Sequence, residues 1–203
     1  MAVYTKINQK EINIINENFN IDKIKSFKGI KQGIENTNYL LKSKKKKYIL
    51  TIFEKRVLQK EIPFFMKLMD NLNNSKINCP KPLKTRNNKY LIKLKNKTAC
   101  IVSFLEGKDK KILNINDCYT VGKTIARMHV VTNKMKLNRK NSMGIKNLKP
   151  LLESIKFKSK KFSNLKLFLN NNLKDINKNW PKQLPKGIIH GDLFIDNIFF
   201  KKN

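Results

Sequence analysis

Two apolar runs enclose a short polar segment near the end of this 203-residue chain. Ile188 and Ile189 lead into the polar segment 190–197, and the apolar run 198–200 follows it. Short apolar runs bounded by turn-forming residues predict strands, and a polar segment between them predicts a loop. We therefore expect a strand, a loop and a second strand here, and this expectation constrains the fold more than any other feature of the chain.

The polar segment has the spacing H-x-D-L-x-x-x-N, which is typical of the catalytic loop of kinases. In such a loop the Asp accepts the proton of the substrate hydroxyl, and the Asn five residues later holds a magnesium ion. Asp192 is therefore the candidate base and Asn197 the candidate magnesium ligand. We expect His190 to support the loop by hydrogen bonding. A β-hairpin whose turn contains these residues by chance is the structural alternative.

The spacing of apolar residues along the chain changes near residue 107. Before that point the periodicity predicts a sheet with two helices, and after it mainly helices. We expect strands over 24–27, 37–42, 48–53, 83–86, 89–94 and 99–105, and helices over 9–19, 61–75, 117–132, 149–156 and 162–179. The sequence thus predicts an α+β fold with a nucleotide-binding lobe over 1–107 and a helical lobe with the catalytic loop over 108–203.

A loop with two glycines, Gly29 and Gly33, lies between the first two predicted strands. Backbone amides in such a loop could cover the phosphates of ATP. A flexible hairpin is the commoner explanation of two nearby glycines, and only Asp192 and Asn197 favour the nucleotide interpretation.

The net charge of +31 raises the alternative of a nucleic-acid-binding protein. The excess consists mostly of Lys, together with abundant Asn and Ile, which is the composition expected of a genome rich in A and T. Specific nucleic-acid readers favour the planar fork of Arg and stacking aromatic side chains. Arginine is rare here: Arg56, Arg86, Arg127 and Arg139. We therefore expect no specific nucleic-acid partner.

Three widely spaced cysteines, Cys79, Cys100 and Cys118, show no paired ligand motif. We expect reduced thiols in a cytoplasmic protein. The first residues lack an apolar core of signal-peptide length, and no apolar run approaches eighteen residues, so we expect no membrane association.

Several blocks in order make the chain similar to a known family. It resembles the homoserine kinases that are related to aminoglycoside phosphotransferases and choline kinases. The broad family is marked by the H-G-D-x-x-x-x-N loop over 190–197. The blocks of the closer resemblance are the segments 1–5, 26–30, 33–38, 48–51, 53–57, 62–65, 104–107 and 180–181.

The resemblance implies a protein-kinase-like fold with two lobes, a sheet-rich N-lobe and a mostly helical C-lobe. It implies ATP and Mg²⁺ as cofactors and L-homoserine as substrate, in a step toward threonine. The implied catalytic residues are Asp192 and His190, and the implied metal ligand is Asn197. The implied nucleotide-binding residues are Gly29, Gly33, Asn36 and Asn38 over the phosphates, Thr51 on the third strand, and Phe104, Leu105 and Glu106 at the hinge facing adenine.

The chain departs from this family in two ways. Thr51 lies where related kinases place a Lys or Arg, so Lys55, Arg56 or a loop lysine is expected to replace that cation, with Glu61 as its nearest acidic partner. Relatives also continue through a second acidic motif, I-D-F, whose Asp holds magnesium. We therefore expect this chain to be a fragment with an incomplete C-lobe, negligible activity by itself and exposed apolar surface. Kinases of the same fold for aminoglycosides or choline remain the alternative.

Overall fold

A computed structural model describes residues 3–32, 35–54, 58–142, 144–155 and 162–201. The chain divides into two compact units. The first, called here the sheet unit, comprises Met1–Leu137 and Ile188–Asn203, and the second comprises Asn138–Gly187. The predicted catalytic loop and its flanking apolar runs, residues 188–200, here called the catalytic segment, therefore belong to the same unit as the sheet. The lobe boundary at residue 107 stays a prediction.

The sheet unit is built on five antiparallel strands in the order β1-β2-β3-β5-β4. Their bounds are β1 Ser26–Gly29, β2 Thr37–Lys42, β3 Lys47–Ile52, β4 Leu91–Leu94 and β5 Lys97–Ser103. The sequence pattern predicted all five to within a few residues. Tight turns join β2 to β3 and β4 to β5, and Lys95 and Asn96 in the second turn both have positive φ.

Helix α1, Gln9–Asn18, covers one face of the sheet. Alternation along β2 and β3 sends every second side chain to this face, where Leu41 and Leu50 are fully buried against Ile15 of the helix. A capping box fixes the start of α1: Asn8 accepts from the backbone of Lys10, and Glu11 accepts from the backbone of Asn8.

Helix α2, Ile62–Asn74, covers the opposite face. Its residues Ile62 and Met66 pack against Cys100 and Val102 of β5. Pro63 lies in the first turn, where its missing N–H costs no hydrogen bond. A third cluster joins α2 to helix α3, Ile115–Asn133, through Leu72 and Met128. The sheet is thus buried on both faces.

Two predictions about strands are wrong. Residues 83–86 form no strand, since Pro82 and Thr85 make only isolated bridges to Val102 and Phe19. The backbone N–H of Leu83 donates to Ile101 of β5, whereas that of Arg86 donates to Asn18, so the segment changes partner within three residues and no continuous ladder forms. The catalytic segment also lacks the two predicted flanking strands: among its described residues only Phe200 pairs, in one bridge with Lys108.

The second unit contains helices α4, Ile145–Ser154, and α5, Ser163–Asn179, which pack on each other. Both helices were predicted, although α4 begins and ends earlier than expected. Within the described part of the chain, no helix combines the length and apolar character needed to cross a membrane.

Candidate active site

The predicted catalytic segment forms a hydrogen-bonded loop. Gly191 has φ of +75°, a left-handed conformation that glycine adopts without steric cost. The backbone N–H of Asp192 donates to Nδ1 of His190 at 3.4 Å. Asn197 lies in the short 3₁₀ turn Ile195–Asn197, and its Nδ2 donates to the backbone oxygen of Asp192 at 2.8 Å and to Oδ2 at 3.0 Å. The three predicted residues are therefore brought together by direct bonds.

Asp192 lies on the surface of the sheet unit with its carboxylate accessible to solvent. One carboxylate oxygen accepts from Asn197, and Oδ1 has no hydrogen bond among the described contacts. An exposed, oriented carboxylate can accept a proton from a substrate hydroxyl that approaches within hydrogen-bonding distance. The hydrogen bond from its own backbone to His190 holds the turn, while the catalytic role of His190 stays a prediction.

The donor atoms of this loop fit a magnesium ion. Mg²⁺ binds oxygen ligands, and in kinases one or two side chains and the phosphates of the nucleotide share its coordination with water. Because Asn197 uses its amide nitrogen toward Asp192, its amide oxygen is directed away from that bond and can serve as a ligand. The described residues contain no group of three or more His, Cys, Asp or Glu side chains that could hold a metal ion.

The predicted phosphate-covering loop is anchored at both ends. At its start, a Cβ on Gly29 would lie 2.9 Å from Cγ2 of Val3, so the N-terminal segment leaves no room for a side chain. At its end, Oδ1 of Asn36 accepts from the backbone N–H of Glu54 at 3.3 Å. Gly33 lies outside the described residues.

Asn38 and Thr51 face each other in register on β2 and β3. The hydroxyl of Thr51 donates to Oδ1 of Asn38 at 2.8 Å, so two of the predicted nucleotide-binding residues form one polar pair. Both lie on the sheet face opposite to α1, since their neighbours Tyr39 and Leu50 point to the α1 cluster. Of the other predicted phosphate ligands, Lys55 and Arg56 lie outside the described residues.

The predicted hinge follows β5 directly. Phe104 and Leu105 are half-buried and Glu106 is exposed. The backbone N–H of Phe104 donates to the oxygen of Lys47 at 3.3 Å, and the ammonium of Lys47 lies 5.1 Å from the Phe104 ring centroid and 3.2 Å from Oε1 of Glu106. The hinge is therefore held against the start of β3.

Sequence reasoning missed a polar cluster beside the phosphate-covering loop. Glu54 accepts hydrogen bonds from the hydroxyls of Thr5 and Thr37, each at 2.7 Å, and pairs with Lys97. Burial by itself raises the pKa of Glu54, but the hydrogen bonds from Lys97, Thr5 and Thr37 outweigh it and lower the pKa below its ordinary value. Glu61, the predicted acidic partner of that cation, lies in the 3₁₀ turn Gln59–Glu61 at the start of α2, and its pairing stays a prediction.

A second missed feature joins the hinge to the catalytic segment. Lys108 and Phe200 exchange two backbone hydrogen bonds, at 3.0 and 2.8 Å. Gly107 has φ of +146°, and a Cβ there would lie 3.0 Å from the backbone oxygen of Phe200. One signal was available in the sequence, the Gly directly after the predicted hinge.

The chain is similar in sequence to a known protein family and to several curated proteins. The model of the phosphotransferase enzyme family matches residues 26–203. The chain is 39% identical over 201 residues to a homoserine kinase of Paramagnetospirillum magneticum, covering 98% of this chain and 62% of that protein. A homoserine kinase of Methylocella silvestris is 36% identical over 201 residues, covering 98% of this chain and 63% of the relative. The chain thus spans less than two thirds of the length of these curated relatives.

Solved structures show the same fold at low sequence identity. An amicoumacin kinase in complex with AMP-PNP and Ca²⁺ matches with a TM-score of 0.73 at 15% identity, over 97% of this chain and 61% of that chain. A spectinomycin phosphotransferase in complex with ADP and spectinomycin matches with a TM-score of 0.64 at 17% identity, over 98% and 67%. These likenesses confirm the predicted α+β, kinase-like fold class.

Proposed function

Because the chain belongs to the phosphotransferase enzyme family, we propose that it carries the nucleotide-binding and base-bearing part of a homoserine kinase. The reaction is transfer of the γ-phosphoryl group of ATP to the side-chain hydroxyl of L-homoserine, giving O-phospho-L-homoserine and ADP. One observation supports this choice above all: identity of 36–39% to homoserine kinases extends along 98% of the chain. A cytoplasmic location and a place in threonine biosynthesis are part of the proposal.

In this proposal Asp192 is the base. Its carboxylate accepts the proton of the homoserine hydroxyl as the hydroxyl oxygen bonds to the γ-phosphorus and the bond to the β-phosphate oxygen breaks. The hydrogen bond from Nδ2 of Asn197 to Oδ2 of Asp192, at 3.0 Å, orients that carboxylate. Phosphoryl transfer requires little covalent chemistry from the protein, so orientation of the hydroxyl is the principal task of this loop.

Mg²⁺ would be held by Asn197 together with the phosphates, where it neutralises charge on the phosphate oxygens. On the nucleotide side, the loop from Gly29 to Asn38 covers the phosphates, and Thr51 lies on the adjacent strand. The Thr51 hydroxyl already donates to Oδ1 of Asn38, and this hydrogen bond fixes the orientation of the Asn38 amide group. The hinge residues Phe104, Leu105 and Glu106 contact adenine.

A ligand panel tests the nucleotide and substrate assignments. Thermal unfolding of the chain is followed with ATP and Mg²⁺, with L-homoserine, with both, and with single-stranded RNA. A ligand that binds only the folded state raises Tm. At a hundred times its Kd, such a ligand adds about 2.7 kcal/mol to the free energy of unfolding. We expect ATP with Mg²⁺ to raise Tm. A rise with RNA and none with ATP would contradict the proposal and support the nucleic-acid alternative suggested by the net charge of +31.

Phosphoryl transfer itself is measured with radiolabelled ATP on the 203-residue chain and on any longer form encoded by the same reading frame. L-homoserine, choline and an aminoglycoside are compared at equal concentration. We expect product only with L-homoserine and, because the 203-residue chain is expected to have negligible activity by itself, only from a longer form. A kinase for another small alcohol is the second candidate, since the solved neighbours include an aminopropanol kinase at a TM-score of 0.69, yet identity to it is only 14%.

A further inference from the structure

The exit of the hinge and the end of the catalytic segment form a set of contacts that we call the hinge clasp, comprising Gly107, Lys108, Lys110, Asp117 and Phe200. Its backbone part is the two-bond bridge between Lys108 and Phe200. This bridge is the single β pairing of the catalytic segment among the residues that the structure describes. The position of the segment after Asn197 therefore depends strongly on it.

Lys110 links this bridge to a helix. Its Nζ lies 4.7 Å from the centroid of the Phe200 ring and 2.6 Å from Oδ1 of Asp117. A cation over an aromatic face is attracted by the ring quadrupole, and the same ammonium can donate to a carboxylate. Lys110 therefore holds the Phe200 side chain from the side of α3.

Asp117 is itself rigidly placed. It occupies the third position of α3, where its Oδ2 accepts from the backbone N–H of Asn114 at 3.1 Å, and the Asn114 side chain accepts from the Asp117 backbone at 2.8 Å. The hydrogen bond from Lys110, together with that of Asn114, lowers the pKa of Asp117 below its ordinary value. The carboxylate therefore stays ionised at neutral pH and remains a fixed anchor for Lys110.

The anchored segment leads back to the candidate base. Phe200 follows Asn197 by three residues, and Asn197 donates two hydrogen bonds to Asp192. A displacement of Phe200 moves the chain on one side of Asn197, and the amide that orients Asp192 moves with it. Continuous contacts thus run from the start of α3 through Lys110 and Phe200 to Asp192.

We propose that Lys110 is a positioning residue. Asp117 holds it over the Phe200 ring, and this contact fixes the catalytic segment. Asn197 then orients Asp192 toward the acceptor hydroxyl. This inference rests on the proposed function for its kinetic consequence. Its structural consequence, ordering of residues 197–200 by Lys110, can be measured without any substrate.

Amide hydrogen exchange of the unliganded chain is the first test. Lys110→Met keeps most of the aliphatic stem but removes the charge, and we expect exchange in peptides covering residues 192–200 to accelerate by about tenfold or more. Lys110→Arg retains a cation and should restore wild-type exchange. Lys111→Met is the matched control, since it removes a neighbouring exposed lysine outside the hinge clasp. Unchanged exchange in Lys110→Met would overturn the proposal.

Turnover is the second test, made on the form of the protein that phosphorylates L-homoserine. Lys110→Met should lower kcat by roughly 10- to 100-fold, the effect of misplacing a reacting group by the order of 1 Å, while KM for ATP changes by less than about threefold. Lys110→Arg should recover kcat. Equal loss in kcat and in ATP affinity, or no loss in kcat, would contradict a positioning role.

The two tests separate the two proposals. If no form of the protein phosphorylates L-homoserine, the proposed function fails, and the exchange measurement still decides whether Lys110 orders the segment. If Lys110→Met does not fold, Asp117→Asn releases the same lysine and is measured in its place. We expect faster exchange at residues 192–200 in that variant also, and wild-type exchange there would overturn the proposal.

Discussion

The sheet and the catalytic segment belong to the same compact unit, yet they are held in place in opposite ways. Strand β5 has five consecutive buried residues, and helices cover the sheet on both faces. The catalytic segment over 188–200 exposes most of its apolar side chains, including Ile189 at 66% and Phe199 at 55%. Non-directional burial of apolar area fixes the sheet, whereas a few directional contacts fix the catalytic segment.

This difference predicts which substitutions lower the stability of the unit and which act on the reaction. A buried apolar side chain contributes through its many contacts, so its removal weakens the whole unit. The catalytic segment contributes little buried area, so a polar change there should leave folding almost untouched and act on the reaction. The following variants test that separation.

The largest effect should come from Asp192→Asn. Removal of a general base typically lowers kcat by about 10²- to 10⁴-fold. We expect ATP affinity and the free energy of unfolding to change little, because the carboxylate is exposed and its hydrogen bond to a described residue lies within its own loop. Steady-state kinetics on the active form and chemical denaturation measure the two quantities. A parallel loss of kcat and ATP affinity would argue against Asp192 as the base.

Leu50→Ala should have the largest effect on stability. The Leu50 side chain is fully buried in the α1 cluster, and such truncations cost about 2–5 kcal/mol. Urea denaturation followed by circular dichroism measures the loss. Leu58→Ala is the matched control, since Leu58 is 55% exposed and its change should lie within about 0.5 kcal/mol. Similar losses in the two variants would refute the described core.

Glu54→Gln should have an intermediate, pH-dependent effect. At neutral pH the loss of the ion pair with Lys97 should cost about 1–3 kcal/mol. Because folding lowers the pKa of Glu54 below its ordinary value of 4.5, its stabilisation is present above that pH and is lost as the pH falls through the lower folded pKa. The stability difference between wild type and Glu54→Gln should therefore shrink below about pH 4.5. A difference that stays constant from pH 7 to 3 would contradict the described cluster.

Gly107→Ala and Gly122→Ala form a matched pair with the smallest expected effects. Gly107 has a positive φ and meets the backbone of Phe200, so the added Cβ should destabilise the unit by about 1–2 kcal/mol. Gly122 lies in α3 with no atom near its Cβ position, so Ala there should stabilise by roughly 0.5–1 kcal/mol. Thermal unfolding distinguishes the signs. A stabilising Gly107→Ala would contradict the close approach at the hinge clasp.

The sheet was predictable because its signal is local. Alternation in β2 and β3, the charged turn between them and Pro63 at the start of α2 each specify structure within a few neighbours in sequence. The catalytic strands were predicted wrongly for the same reason. The apolar residues around the loop look like strands, but a strand also needs a partner, and the described structure gives one only at Phe200.

The catalytic roles of His190, Asp192 and Asn197 stay predictions, but their placement in one hydrogen-bonded loop was predictable because their spacing in the sequence is local. Contacts between distant residues were not. Glu54 and Lys97 are 43 positions apart, and only the pairing of β3 with β5 brings them together. Lys110 and Phe200 are likewise distant in sequence, and nothing in the local pattern around Lys110 distinguishes it from the many other lysines.

Strand β5 continues without a break from the buried sheet into Phe104. The seven residues of β5 thus belong both to the buried sheet and to the support of the proposed adenine contact. Partial melting of the sheet cannot leave the hinge intact, so nucleotide affinity and native structure should vanish at one temperature. Thermal inactivation of nucleotide binding would then follow the unfolding curve and not precede it.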